Sequence, residues 1–262
     1  MGEKEKNYAV PGAIVIAGLI IAGSLLYVNR TEKTVQQPTK AGDATSAEIR
    51  IPDITSEDHI LGNPEADFVI VEYSDIECPF CKDFHLSLHT IIDTYGKEGD
   101  VAWVYRHFPI VSLHSKAQRE AEATECVAEL AGNTGFWNYL DKIFEITPSN
   151  DGLPEGELSR IAQTLGLNKT TFEQCLNSGS YTNKVNAEVE DAKNAGGRGT
   201  PFSVIVAKKP FSKATLDFIA SASAQLPPRT LLVSNDGMRM ALNGALPIGF
   251  LNLLFDTALE KN

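Results

Sequence analysis

The chain has 262 residues, of which 43% are hydrophobic, enough for one sizeable core with appendages. Its formal charge of -11 argues against a nucleic acid or an anionic membrane surface as partner, because phosphate recognition needs clustered Lys and Arg. Four cysteines are too few for a disulfide-dense scaffold. Their spacing, one close pair and two distant singles, points instead to two separate jobs.

Residues 1–8 contain Lys4 and Lys6 and read as a short cytoplasmic N-terminus. Residues 9–28 carry no charge, and at about 1.5 Å per residue they are long enough for the roughly 30 Å core of a bilayer. This predicts one transmembrane anchor. A cleaved signal peptide is the rival, since Ala22, Gly23 and Ser24 offer small residues to a peptidase. The apolar Leu25, Leu26, Tyr27 and Val28 continue past that point and favour a span. Basic residues flank both sides, so charge does not set the orientation.

Residues 29–55 turn to Gln, Thr, Lys, Gly, Asp and Ser without apolar periodicity, which predicts a flexible linker. The folded domain is expected over 56–262. Residues 68–73 are apolar on both faces apart from Glu72, as a central strand requires. A helix follows from Pro79, with Phe84, Leu88, Ile91, Ile92 and Tyr95 at helical spacing until Gly96. Residues 101–105 form the next strand, which completes a βαβ unit. From about 112 to 196 the pattern is helical, carried by Ala123, Val127, Leu130, Phe136, Leu140 and Ile143, then by Leu158, Ile161, Phe172 and Leu176. A more polar helix covers 184–195. Strand returns at 201–206, a hairpin turns at Asn235, Asp236 and Gly237, and a helix closes the chain from about Ile248. The order is that of an α/β domain interrupted by a helical insertion.

A C-x-x-C at a strand–helix junction places its first sulfur where unpaired N–H groups and the helix dipole favour a thiolate. Cys78 is therefore the candidate nucleophile. Cys81, one turn deeper, is the candidate resolving thiol. Asp75 and Glu77 should oppose the thiolate and Lys82 favour it, with solvent screening all three if they are exposed. His85 and His89 have a spacing known for metal ligands. No third ligand is evident nearby in the sequence, so they read as a packed or exposed pair, with no metal and no cofactor expected. His107 follows the second strand and borders the site.

Residues 62–64 (Gly-Asn-Pro), followed by 71–81 (Val-Glu-Tyr-Ser-Asp-Ile-Glu-Cys-Pro-Phe-Cys), resemble the DsbA-like, thioredoxin-fold oxidoreductases of bacterial envelopes. Residues 105–109 and Gly199-Thr200-Pro201 resemble further family segments, and 243–247 do so before the last helix. The stretch 208–230 is longer than the family's usual hairpin, which leaves the edge strand order open. The resemblance implies a thioredoxin-like α/β fold and a cis Pro201 that presents the backbone of Thr200 to a substrate strand near Cys78. It implies that Glu72 is a buried acid serving Cys81, where the residue pattern alone also allows a strand-end carboxylate in water. It implies a structural disulfide between Cys126 and Cys175. It further implies reduced secreted proteins as substrates and a quinone-linked membrane partner. The catalytic domain would then lie on the extracytoplasmic side of a single-pass anchor, where disulfides persist. A reductase or isomerase of the same fold, and a tethered non-catalytic peptide-binding module, are the competing readings.

Overall fold

The computed structural model describes residues 46–261. The N-terminus 1–8 and the anchor 9–28 lie outside the described residues, among which no helix is long and apolar enough to cross a membrane. Strands β1 (Ser46–Ala47), β2 (His59–Leu61), β3 (Phe68–Ser74), β4 (Val101–His107), β5 (Phe202–Ala207), β6 (Leu231–Ser234) and β7 (Arg239–Asn243) form one sheet in the order β1-β6-β7-β5-β3-β4-β2. β3 and β4 run parallel in the centre, while β5 lies antiparallel on the other side of β3. Helix α1 (Pro79–Ile91) makes the β3–β4 crossover and ends in a π-helical turn, Ile92–Gly96.

Period-two alternation gives each sheet face its own core. Ile70, Trp103, Tyr105, Ile205 and Leu242 face α1, whose Phe84, Leu88 and Ile91 are buried against them. Val69, Val71, Tyr73, Val104 and Val204 face the opposite way. Each such fully buried side chain contributes about 1.5–3 kcal/mol. Glu72 shares the parity of Ile70 and so points into the α1 side.

The helical insertion comprises α2 (Ala117–Ile146), α3 (Glu157–Thr164), α4 (Lys169–Ser178) and α5 (Thr182–Asn194). α2 is broken at Gly132, whose φ of 69° and ψ of -171° a side chain would strain. A buried polar junction fastens this insertion to the sheet. Glu125 Oε1 of α2 lies 2.8 Å from His59 Nε2 and 3.1 Å from His107 Nε2, and Lys184 of α5 donates to Oε2 at 2.7 Å. Burial would raise the pKa of Glu125, but its two histidine partners hold it well below the usual carboxylate range. His107 thus belongs to this junction.

One expectation needs correction. The linker assigned to 29–55 does not extend to 55. Ser46 pairs with Val233 of β6, Ile49 is buried, and Ile51 and Ile54 pack on the outer face. Polar neighbours mask these three isoleucines in composition. The buried guanidinium of Arg106 also needs acceptors, and it finds Asp58 at 2.7 Å and the carbonyls of Pro52 and Asp53 at 3.4 Å. The long stretch after β5 folds as helix α6 (Lys213–Ser223), capped by Ser212 Oγ accepting from Thr215 N–H. It pads the connection to β6, whose hairpin with β7 carries the short β1 at the sheet edge, before the last helix, α7 (Ile248–Ala258).

Candidate active site

β3 ends at Ser74, and a tight turn closed by Cys78 N–H donating to Asp75 O leads into α1. Cys78 is the N-cap of α1 and Pro79 occupies its first turn, where a missing N–H costs nothing. Cys78 Sγ therefore sits over the unpaired amides of the helix end. Cys81, one turn further in, is fully buried, and Asp75 N–H points at its sulfur from 3.5 Å. Both are free thiols.

Their environments push the two thiols in opposite directions. The Cys78 pKa falls from 9.0 to about 6, chiefly because the Cys81 thiol donates to it. Burial opposes this, while the Thr200 side chain and the amides of Cys81 and Phe80 add to the lowering. Burial, followed by the neighbouring Cys78, pushes the Cys81 thiol well above its ordinary value. Thr200 faces the pair across a cis bond to Pro201. Its carbonyl lies 3.6 Å from Cys78 Sγ, and its buried hydroxyl has no other partner among the described residues, so it is free to donate to a thiolate.

Glu72 lies beneath, fully buried, accepting from Trp103 Nε1–H at 3.1 Å through Oε2. Burial pushes its pKa to about 8, against the lowering influence of the nearby Ser74 hydroxyl and the Trp103 hydrogen bond, so it holds a proton near neutrality. Asp75 and Glu77 are both buried and therefore not screened by water. Asp75 Oδ2 accepts from Ile110 N–H at 2.7 Å and lies 2.8 Å from His114 Nδ1, while Glu77 accepts from the Thr147 hydroxyl and Gly152 N–H. These bonds satisfy the carboxylates and brace the turn before Cys78. Lys82 turns away to the carbonyl of Thr147, 2.6 Å from its Nζ.

Sequence reasoning missed Glu120 of α2. Burial first, then the adjacent Glu77, pushes its pKa to about 9. Helical periodicity alone did not separate it from solvent-facing glutamates. Next to the dithiol, Phe80 is 65% exposed. The loop before Thr200 borders a cavity of about 440 Å³ lined by Phe108, Ile110, Val111, Val189, Gly197 and Arg198. In the insertion, Cys126 of α2 and Cys175 of α4 are joined, their Cα atoms 5.8 Å apart.

A dithiol split between a helix N-terminus and a buried turn, facing a cis-proline loop on a thioredoxin-like sheet, defines a thiol–disulfide oxidoreductase of the DsbA-like class. The family model described as Thioredoxin matches residues 55–219, and the chain belongs to that family. Among solved structures it resembles DsbA2 of Pseudomonas aeruginosa (TM-score 0.56, 24% identity, 76% of this chain and 93% of that one). It also resembles oxidised BdbD of Bacillus subtilis (TM-score 0.54, 22% identity, 61% and 86%). Both likenesses concern the fold. Curated relatives include Na(+)/H(+) antiporter NhaA 3 of Salinispora tropica, 27% identical over 69% of this chain and 27% of that protein. NhaA 1 of Mycolicibacterium vanbaalenii is 32% identical over 55% and 22%. The chain spans about a quarter of the length of these relatives.

Proposed function

We propose that this protein is a membrane-anchored oxidase of paired thiols in secreted or envelope proteins, with its catalytic domain outside the cytoplasmic membrane. The observation that carries this reading is the opposed polarisation of one dithiol: Cys78 lowered to about 6, Cys81 raised well above 9.0. A stabilised thiolate favours the reduced form and so makes the disulfide a stronger oxidant. At pH 7 about one pH unit of this lowering acts, worth roughly 30 mV. That direction supports an oxidase over a reductase.

In the mechanism, a substrate thiolate attacks Cys78 Sγ of the Cys78–Cys81 disulfide, because Cys81 is out of reach. The Cys78–Cys81 bond breaks as the mixed disulfide forms. Cys81 leaves with the electron pair and is protonated, with Glu72 as the proton source. The substrate's second thiolate then attacks its own sulfur, and Cys78 departs as the stabilised thiolate. Two electrons have passed from substrate to enzyme. Ease of departure thus governs the second step, whereas access governs the first. The Thr200 backbone and the exposed Phe80 offer an extended peptide one polar edge and one apolar contact. A quinone-linked membrane partner would reoxidise the pair, and residues 9–28 would hold the domain beside it.

The test is stoichiometric. Oxidised full-length protein mixed with a reduced dithiol peptide should yield peptide disulfide and reduced Cys78–Cys81, with an equilibrium against glutathione on the oxidising side. Exchange in neither direction by the wild type would remove the catalytic reading, and an equilibrium on the reducing side would reverse its direction. Added protease should cut the domain in intact spheroplasts; protection there would overturn the topology.

A further inference from the structure

His85 and His89 lie one turn apart on α1, and the tertiary fold brings Asp141 of α2 against them. His85 Nε2 and His89 Nε2 each lie 2.8 Å from Asp141 Oδ1 and 3.2 Å from each other. A first-row divalent ion binding at about 2.0–2.1 Å holds neighbouring ligand atoms roughly 2.9–3.4 Å apart, whether tetrahedral or octahedral. The three atoms already stand at nearly that separation. As a hydrogen-bonded trio alone, both imidazole N–H groups would donate to one carboxylate oxygen and face each other at 3.2 Å.

We propose that His85 Nε2, His89 Nε2 and Asp141 Oδ1 form a binding site for one divalent transition-metal ion of the Zn²⁺ or Cu²⁺ kind, with its remaining coordination open to solvent. Two imidazoles and one carboxylate suit these ions, whereas Mg²⁺ and Ca²⁺ prefer oxygen ligands. The access is right. The His85 side chain is only 2% exposed and fixes the floor of the site, while those of His89 and Asp141 are 33% and 43% exposed. They open into a cavity of about 440 Å³ walled by Lys82, Leu86, Phe144 and Glu145. The Lys82 ammonium is drawn off by the Thr147 carbonyl.

The second histidine cluster shows what disqualifies a site. At His59, His107 and Glu125, the Lys184 ammonium lies 2.7 Å from the carboxylate and 3.3 Å from His59 Nε2, so the place of a cation is already taken. At His85 the other ring nitrogen, Nδ1, is buried without a partner among the described residues. The ligating ring therefore lacks the outer acceptor that usually strengthens such a bond. This makes the ion exchangeable rather than a permanent structural element. Once bound, it would cross-link α1, which carries Cys78 and Cys81, to α2 of the insertion.

The chain's two tryptophans report on the site. The Trp103 ring lies 5.0 Å from His85 and 5.3 Å from His89, and Trp137 lies 4.6 Å from Trp103. The experiment uses untagged full-length protein with Cys78–Cys81 oxidised, so that thiols do not compete. Cu²⁺ should quench tryptophan fluorescence at one equivalent, a chelator should restore it, and Zn²⁺ should compete. His89→Ala and Asp141→Ala, both at partly exposed positions, should each weaken binding by more than about tenfold, the scale of even outer-shell losses. Their unchanged metal-free circular dichroism would show that they are folded. Wild-type titrations of Zn²⁺ and Cu²⁺ that match those of the two variants, or show no binding, would overturn the site and leave the trio a hydrogen-bonded network.

Discussion

The two cysteine pairs of this molecule use the same element for opposite ends. Cys78 and Cys81 sit within one helical turn, and their surroundings drive the two sulfurs apart electronically. Cys126 and Cys175 are 49 positions apart in sequence and join two helices of the insertion. The lesson concerns environment: a helix N-terminus, a neighbouring donor and a buried partner make a sulfur reactive, whereas a bridge between packed helices mainly restricts the unfolded chain.

Removing each pair in turn should have opposite consequences for exchange and for stability. Cys78→Ala should abolish thiol exchange, and Cys81→Ala should accumulate mixed disulfides on Cys78, visible as adducts on non-reducing gels. Turnover by Cys78→Ala would reverse the assignment. Replacing both Cys126 and Cys175 with Ala should leave exchange intact in the folded protein. It should lower stability by on the order of 4 kcal/mol in urea unfolding, the loop-entropy value for a closure of this length. Loss of exchange with stability unchanged would mean that the second pair is not merely a brace.

Beneath the reactive pair, Glu72 offers a pH test. Its folded pKa is raised from 4.5 to about 8, so its contribution to stability is full below about pH 4.5 and is lost as pH rises through 8. Glu72→Gln removes that dependence. Relative to wild type the variant should gain stability progressively between pH 4.5 and 8 and then level off, by up to about 5 kcal/mol. A flat difference across that window would show that Glu72 is ionised in the folded protein. The smallest effect is expected from Thr200→Val, which deletes the hydroxyl facing Cys78. The midpoint of Cys78 alkylation, expected near pH 6 in the wild type, should rise by less than about one unit. A fall would exclude Thr200 as a donor to the thiolate.

Local pattern alone carried the strand–helix junction that bears Cys78. Apolar residues 68–73, a proline after the cysteine and helical spacing to Tyr95 left little choice of structure. The helices of the insertion were legible for the same reason. The segment around Ile49, Ile51 and Ile54 was not, because three apolar residues in polar company look like a tether until a sheet face is present to bury them. Helix α6 was likewise hidden, since Ser212 is a cap only if the chain after it turns helical.

What the sequence by itself determined was the chemistry available: two sulfurs one turn apart at a helix start, an acid in an apolar strand, and two histidines on one helical face. Each follows from short-range periodicity, which is written in consecutive residues. Only the tertiary structure decided what each group meets. It set Trp103 against Glu72, sank Asp75 and Glu77 among amide donors, and carried Asp141 across 52 positions to His89. Those meetings depend on how the insertion packs back on the sheet. Packing is a property of complementary surfaces summed over the whole core, so no local window of sequence contains it.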